Sequence, residues 1–194
     1  TSFTYPQSGF EFLSNKKLRL SKVGEVNIKL HRVIKGKMKT LTIIKTPTNK
    51  WFALFICEIY KKENSKYLKD GESIGIDLGL TNFAVLSNGS IIENPRYLKL
   101  SLEELKFRSR YFSRKQKGSS NWAKSRLKLV RLYEKISNQR LDFLHKVSHK
   151  LVNSYSLIAV ENLRSSEMKN KYLQFSINDA SWNKFRKLLT YKAE

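Results

Sequence analysis

The sequence predicts a mixed α/β chain: a small, mostly antiparallel β segment over residues 1–70, then an α/β domain over residues 71–194 with a basic helical hairpin inserted at about 101–153. Three observations predict it. Short β-branched and aromatic runs separated by tight turns fill the first part. A polar stretch at residues 61–71 ends them and reads as a linker. Beyond it strands alternate with two long helical periods.

From Phe10 to about residue 60 the runs VNIKL (26–30), LTIIK (41–45) and WFALFICEI (51–59) read as strands, with turns at Gly24, at residues 35–37 (KGK) and at 47–50 (PTNK). Strands this short form a small antiparallel sheet or barrel rather than βαβ units, with basic turns on the rim. In the second part SIGIDLG (73–79) reads as a buried strand and NFAVLS (82–87) as its hairpin partner; Asn88-Gly89 is the next turn, and Ile91 and Ile92 begin a third strand. Residues 102–117 and 122–153 are helical, split by KGSSN (117–121), which ends in good N-cap residues. Leu127, Val130, Tyr133, Leu141, Leu144, Val147 and Leu151 recur at near coiled-coil spacing, so the second helix folds back on the first. Its 32 residues span about 48 Å and carry the hairpin past the sheet. Residues 156–162 (SLIAVEN) read as another buried strand, and a final amphipathic helix begins at Asn178, capped by Asn178 or Asp179, with Trp182, Phe185, Leu188 and Leu189 on its apolar side.

Against 16 Asp+Glu stand 38 Lys+Arg, a net charge of +22 on 194 residues. Like charge in such excess destabilises a compact chain unless a polyanion neutralises it, so nucleic acid is the expected partner. The excess is also uneven, since residues 101–150 hold 14 Lys+Arg and 4 Asp+Glu. Arg108, Arg110, Arg114, Lys117, Lys124 and Arg126 on the hairpin, and Arg32, Lys35 and Lys37 on the β rim, are the expected phosphate contacts. The longest apolar run, residues 51–57, is too short to span a membrane. The expected location is cytoplasmic and nucleoid-associated, and a small-molecule ligand is not expected. Cys57 alone makes neither an internal disulfide nor a zinc site and reads as core. His145 and His149 stand at i, i+4 without a third ligand nearby and read as solvated or facing nucleic acid. Trp182 and Phe185 read as core rather than as base-stacking rings.

Two carboxylates interrupt apolar strands: Asp77 in Ile-Gly-Ile-Asp and Glu161 after Leu-Ile-Ala-Val. Burying either is costly without a cation. Adjacent strands could bring them together around Mg²⁺, the hard oxygen-seeking ion of phosphodiester hydrolysis. The alternatives are that Asp77 caps its turn and Glu161 starts a loop, or that IDLGLTN (76–82) is a phosphate loop like that of the actin and sugar-kinase ATPases. Those proteins need two lobes and a second phosphate loop, and this chain is short and very basic.

The ordered set FTYPQ (3–7), HRVIKGK (31–37), GIDLGLTN (75–82), AVENL (159–163), WNKF (182–185) and YKAE (191–194) resembles the TnpB (OrfB) family of transposon-encoded RuvC-like nucleases, long described as transposases and related to type V CRISPR effectors. The resemblance runs along essentially the whole chain. It implies that residues 1–70 are similar to the later part of a β-barrel wedge domain and residues 71–194 to a RuvC, RNase H-like, nuclease domain lacking its C-terminal part. It further implies an RNA-guided, Mg²⁺-dependent DNA endonuclease whose partners are a guide RNA and a target DNA. By position Asp77 matches the first RuvC carboxylate and Glu161 the second. The third acidic residue and a Cys-rich zinc ribbon are expected downstream of Glu194, and most of a helical recognition domain before Thr1, so the chain reads as a partial member that is not expected to cut alone. Asp179, the nearest substitute for the third carboxylate, reads as a helix cap. The competing reading is a binding module of the same fold, inactive as a nuclease, that acts by occupancy.

Overall fold

In a computed structural model, which describes residues 1–59, 71–163 and 174–193, the chain divides into two compact units, Thr1–Ser65 and Lys66–Glu194.

The first unit holds six strands: β1 (Ser2–Pro6), β2 (Phe10–Ser14), β3 (Lys17–Leu20), β4 (Gly24–Asn27), β5 (Lys37–Lys45) and β6 (Trp51–Glu58). They form two antiparallel sheets, β1-β5-β6 and β2-β3-β4. The expected barrel is therefore corrected: among the described residues no ladder joins the two sheets, and Leu18 and Leu20 of one are buried with Leu41 and Ile43 of the other, packed by Tyr5, Phe12 and Phe55. The Tyr5 hydroxyl adds a link, donating to the Ser21 carbonyl at 2.8 Å. Strand β4 ends at Asn27, short of the expected run to residue 30, and β1 lies ahead of the first expected strand. Cys57 is half-buried rather than core, because β6 is an edge strand. The expected linker lies mostly outside the described residues.

The turn into β5 depends on Gly36, whose φ of +85° is strained for any other residue, and a Cβ there would overlap the Glu58 carbonyl oxygen. Gly36→Ala should lower unfolding stability by about 1–3 kcal/mol. A urea midpoint equal to wild type would show that the turn tolerates the side chain.

In the second unit β7 (Ser73–Leu78), β8 (Asn82–Leu86), β9 (Ile91–Glu93) and β10 (Leu157–Val160) form one sheet in the order β10-β7-β8-β9. The β7-β8-β9 meander is antiparallel, while β10 returns parallel to β7 after the helices α1 (Tyr97–Leu100), α2 (Leu102–Ser113) and α3 (Ser120–Ser154). The Ser119 side chain caps α3 by accepting from the Trp122 amide at 3.1 Å, as the turn chemistry predicts. Two further helices close the unit, α4 (Gln174–Ala180) and α5 (Trp182–Ala193).

Strand β7 alternates, with Ile74, Ile76 and Leu78 buried while Ser73 and Asp77 are exposed. Its core face meets Leu144 and Leu151 of α3 and Trp182, Phe185, Leu188 and Leu189 of α5. Phe83 of β8 is the centre, edge-on to Phe143 and Phe185 with centroids 5.0 Å away in both cases. Strands β7 and β10, expected to be buried, are covered on one side only, with alternate residues exposed. Trp182 and Phe185 are core, 4% and 0% exposed. Lys192 of α5 donates to the His145 carbonyl and to Ser148 Oγ, both at 2.8 Å, and burial pushes its ammonium below the usual lysine range.

The outer part of α3 packs elsewhere. Leu132 and Ile136 bury Leu105 of α2 in a separate cluster with Leu129 and Tyr97. Tyr133, expected in the apolar stripe, is exposed, because Leu132 and Ile136 take the inner face. The expected final helix is likewise corrected: Asn178 and Asp179 belong to α4, and α5 starts after Ser181, whose φ of 56° breaks the chain direction.

Candidate functional site

The β10–β7 ladder pairs Leu157 with Ser73, Ile158 with Ile74, Ala159 with Gly75 and Val160 with Ile76. Ile76 and Val160 are the last pair of that ladder, and Asp77 and Glu161 are the residues that follow them. Asp77 lies in β7 on the side opposite Ile74, Ile76 and Leu78, and Glu161 lies just past the end of β10. Both are exposed. The burial cost invoked for them from the sequence is thus absent in this chain, since strand alternation sends the aliphatic neighbours inward and the carboxylates out.

Around the pair, the β7–β8 turn is held tightly. The Gly79 amide donates to the Phe83 carbonyl at 3.2 Å, and a Cβ on Gly79 would stand 2.9 Å from the Asn82 carbonyl oxygen. Asn94 Nδ2 donates to the Leu80 carbonyl at 2.9 Å and Arg96 to that of Thr81 at 3.1 Å. Beyond Glu161, the Arg186 guanidinium of α5 donates to Asn162 Oδ1 and fixes the end of β10 against that helix. Sequence reasoning did not find Arg186; a cation one helical turn past Trp182 was its only signal.

Two hard carboxylate donors suit Mg²⁺, which binds through one or two carboxylates and retains several waters. Among the described residues no third His, Cys, Asp or Glu joins a metal-binding group. Asp179 is not available for that role. It is 8% exposed, and it accepts from Arg140 at 2.8 Å and from the Leu98 amide at 3.1 Å, so it caps α1 rather than the final helix.

The expected phosphate contacts fall into two groups. Arg110, Arg114, Lys117, Lys124 and Arg126 are exposed on the hairpin and have no ion-pair partner among the described residues. Arg108 is engaged within the hairpin, where it binds Glu104 and donates to the Lys128 carbonyl at 3.2 Å, stapling α2 to α3. In the first unit Arg32, Lys35 and Lys37 are exposed around the Gly36 turn. His149 lies 3.0 Å from Asn153 Nδ2, and the two histidines form no metal cluster among the described residues. The paired rings of Phe107 and Tyr111 on α2 were also missed, although their i, i+4 spacing inside a basic run was visible.

Comparison with known proteins places this arrangement, a mixed α/β unit with a basic helical hairpin and two exposed carboxylates after paired strand positions, in a family. Residues 56–171 match the OrfB_IS605 family, described as "Probable transposase", and the chain belongs to that family. A Streptomyces pristinaespiralis protein named "Putative RNA-guided DNA endonuclease" is 33% identical over 195 residues, covering 98% of this chain and 48% of its own. The Escherichia coli K12 protein named "Putative RNA-guided DNA endonuclease InsQ" is 28% identical over 207 residues, 98% of this chain and 51% of its own. A Mycobacterium tuberculosis H37Rv protein, "Putative RNA-guided DNA endonuclease Rv2885c", is 30% identical over 131 residues, 61% of this chain and 28% of its own. The chain spans about half the length of the first two relatives. No helix among the described residues is long and apolar enough to cross a membrane.

Proposed function

We propose that this chain is the nucleic-acid-binding part of an RNA-guided, Mg²⁺-dependent DNA endonuclease of the RuvC, RNase H-like type, with a guide RNA and a target DNA as partners. The observation that carries the reading is the parallel β10–β7 ladder, after whose last pair come Glu161 and Asp77, in the same unit as a hairpin whose Arg110, Arg114, Lys117, Lys124 and Arg126 are exposed. Support for the nuclease fold comes from the order of elements: three antiparallel strands, a helical hairpin, then a strand that returns parallel beside the first. Asp77 and Glu161 would hold Mg²⁺. When bound, the ion supplies Lewis-acid stabilisation of charge on phosphoryl oxygens. The chain's own part is to hold the two carboxylates just past the paired positions of neighbouring strands and to seat the phosphate backbone on Arg110, Arg114, Lys117, Lys124 and Arg126.

A second reading, a nuclease-inactive module acting by occupancy, is favoured by the lack of a third acidic or histidine ligand in a metal-binding group among the described residues. Both readings require phosphate-dominated binding. Affinity for RNA or DNA should therefore fall steeply with salt, and replacing Arg110, Arg114 and Lys117 together by glutamine should reduce the log–log slope by about 0.7 to 0.9 for each phosphate no longer neutralised. A wild-type affinity indifferent to salt would leave the basic residues as a solvated face.

A further inference from the structure

Helix α2 has two unlike sides. Leu105 is buried against Leu132 and Ile136, and the Phe112 ring lies 5.4 Å from that of Trp122, so these residues do the packing. A helix turns 100° per residue, which puts Phe107 and Tyr111 on the opposite side. They are 68% and 48% exposed. Their rings lie within 22° of parallel with centroids 6.5 Å apart, and the Lys115 ammonium continues the row, 4.0 Å from the Tyr111 centroid.

Single exposed rings are ordinary, and an aromatic pair at i, i+4 steadies a helix by a few tenths of a kcal/mol. Here the pair sits among cations with no acidic counterpart left over. Arg110 and Arg114 share the outer side and are unpaired among the described residues, whereas the two carboxylates of α2 are taken, Glu103 by Lys106 at 2.8 Å and Glu104 by Arg108. An apolar protein surface would have to desolvate those cations, whereas a nucleic acid supplies rings for the aromatic faces that Lys115 leaves open and a phosphate for each charge.

We propose that Phe107 and Tyr111 form a stacking platform for unpaired bases, with Arg110 and Arg114 taking the flanking phosphates. The inference rests on the nucleic-acid reading above and deepens it: this face of the hairpin selects single-stranded over paired nucleic acid, without regard to sequence, because every base offers a π face.

The test uses the 194-residue chain and two labelled single strands of about 12 nucleotides, one of thymidines and one of abasic sites, within the length such surfaces cover. Leucine at both positions preserves the helix and removes the rings. The double variant Phe107→Leu/Tyr111→Leu should bind the thymidine strand about tenfold or more weakly than wild type, with the abasic strand and both salt slopes unchanged. Arg110→Gln/Arg114→Gln should weaken both strands and flatten both slopes. If the leucine variant binds thymidine strands as wild type does while the glutamine variant does not, the platform is refuted and the nucleic-acid reading survives. A wild-type chain that binds neither strand refutes that reading and the platform with it. A wild-type dimer that the leucine variant converts to monomer assigns the face to a second copy and overturns the proposal.

Discussion

Replacing Asp179 by alanine is expected to cost the fold about 3–5 kcal/mol, the loss that follows when one member of a buried ion pair is removed. The carboxylate joins three elements. It lies in α4, binds Arg140 of α3 at 2.8 Å, and receives the Leu98 amide in the first turn of α1 at 3.1 Å. Without it the Arg140 side chain, 24% exposed, loses its counter-charge, and α1 loses its acceptor. Asp179→Asn keeps an acceptor for the amide and should restore part of the loss. Urea unfolding without any metal measures both, and an alanine variant as stable as wild type would remove the structural role and reopen Asp179 as a ligand.

Asp77→Ala should abolish DNA cleavage, by several orders of magnitude, in a protein that carries this segment within a chain of its relatives' length, while leaving RNA affinity nearly unchanged. Its carboxylate is exposed on β7, on the side away from the core, so its removal creates no cavity and should leave the unfolding midpoint close to wild type. Activity and stability should therefore separate, the reverse of the outcome at Asp179. Glu161→Ala should behave in the same way. Cleavage at the wild-type rate in either variant would refute the metal-site assignment, and a wild type that binds but never cuts would favour the occupancy reading.

The contrast between these two acids shows what could be read from the chain. The β7–β8 hairpin, the Asn88-Gly89 turn and the Ser119 cap were legible because each is written in neighbouring residues. That Asp77 and Glu161 follow the paired ends of neighbouring strands was legible only as chemistry, since those two positions lie 84 apart in sequence and the pairing is made by the parallel β10–β7 ladder. Asp179 was misplaced for the same kind of reason. Its partners Arg140 and Leu98 lie 39 and 81 residues away, and local capping rules see neither. Tyr133 was assigned to the wrong face because a 35-residue helix changes partner along its length, and a single seven-residue repeat cannot follow both surfaces. The open sheets of the first unit turned on strand pairings that short apolar runs do not encode.

Helix α3 is one unbroken rod of 35 residues, about 52 Å long. One end is set in the sheet core through Leu144 and Leu151, and the other carries the hairpin. Only Tyr155 and Ser156 separate its last turn from β10 and hence from Glu161. The helix is therefore a lever with its fulcrum beside the carboxylate strands: one degree of tilt at the sheet moves the far tip by about 0.9 Å. Conversely, a load applied at the tip reaches β10 as torque through a two-residue joint.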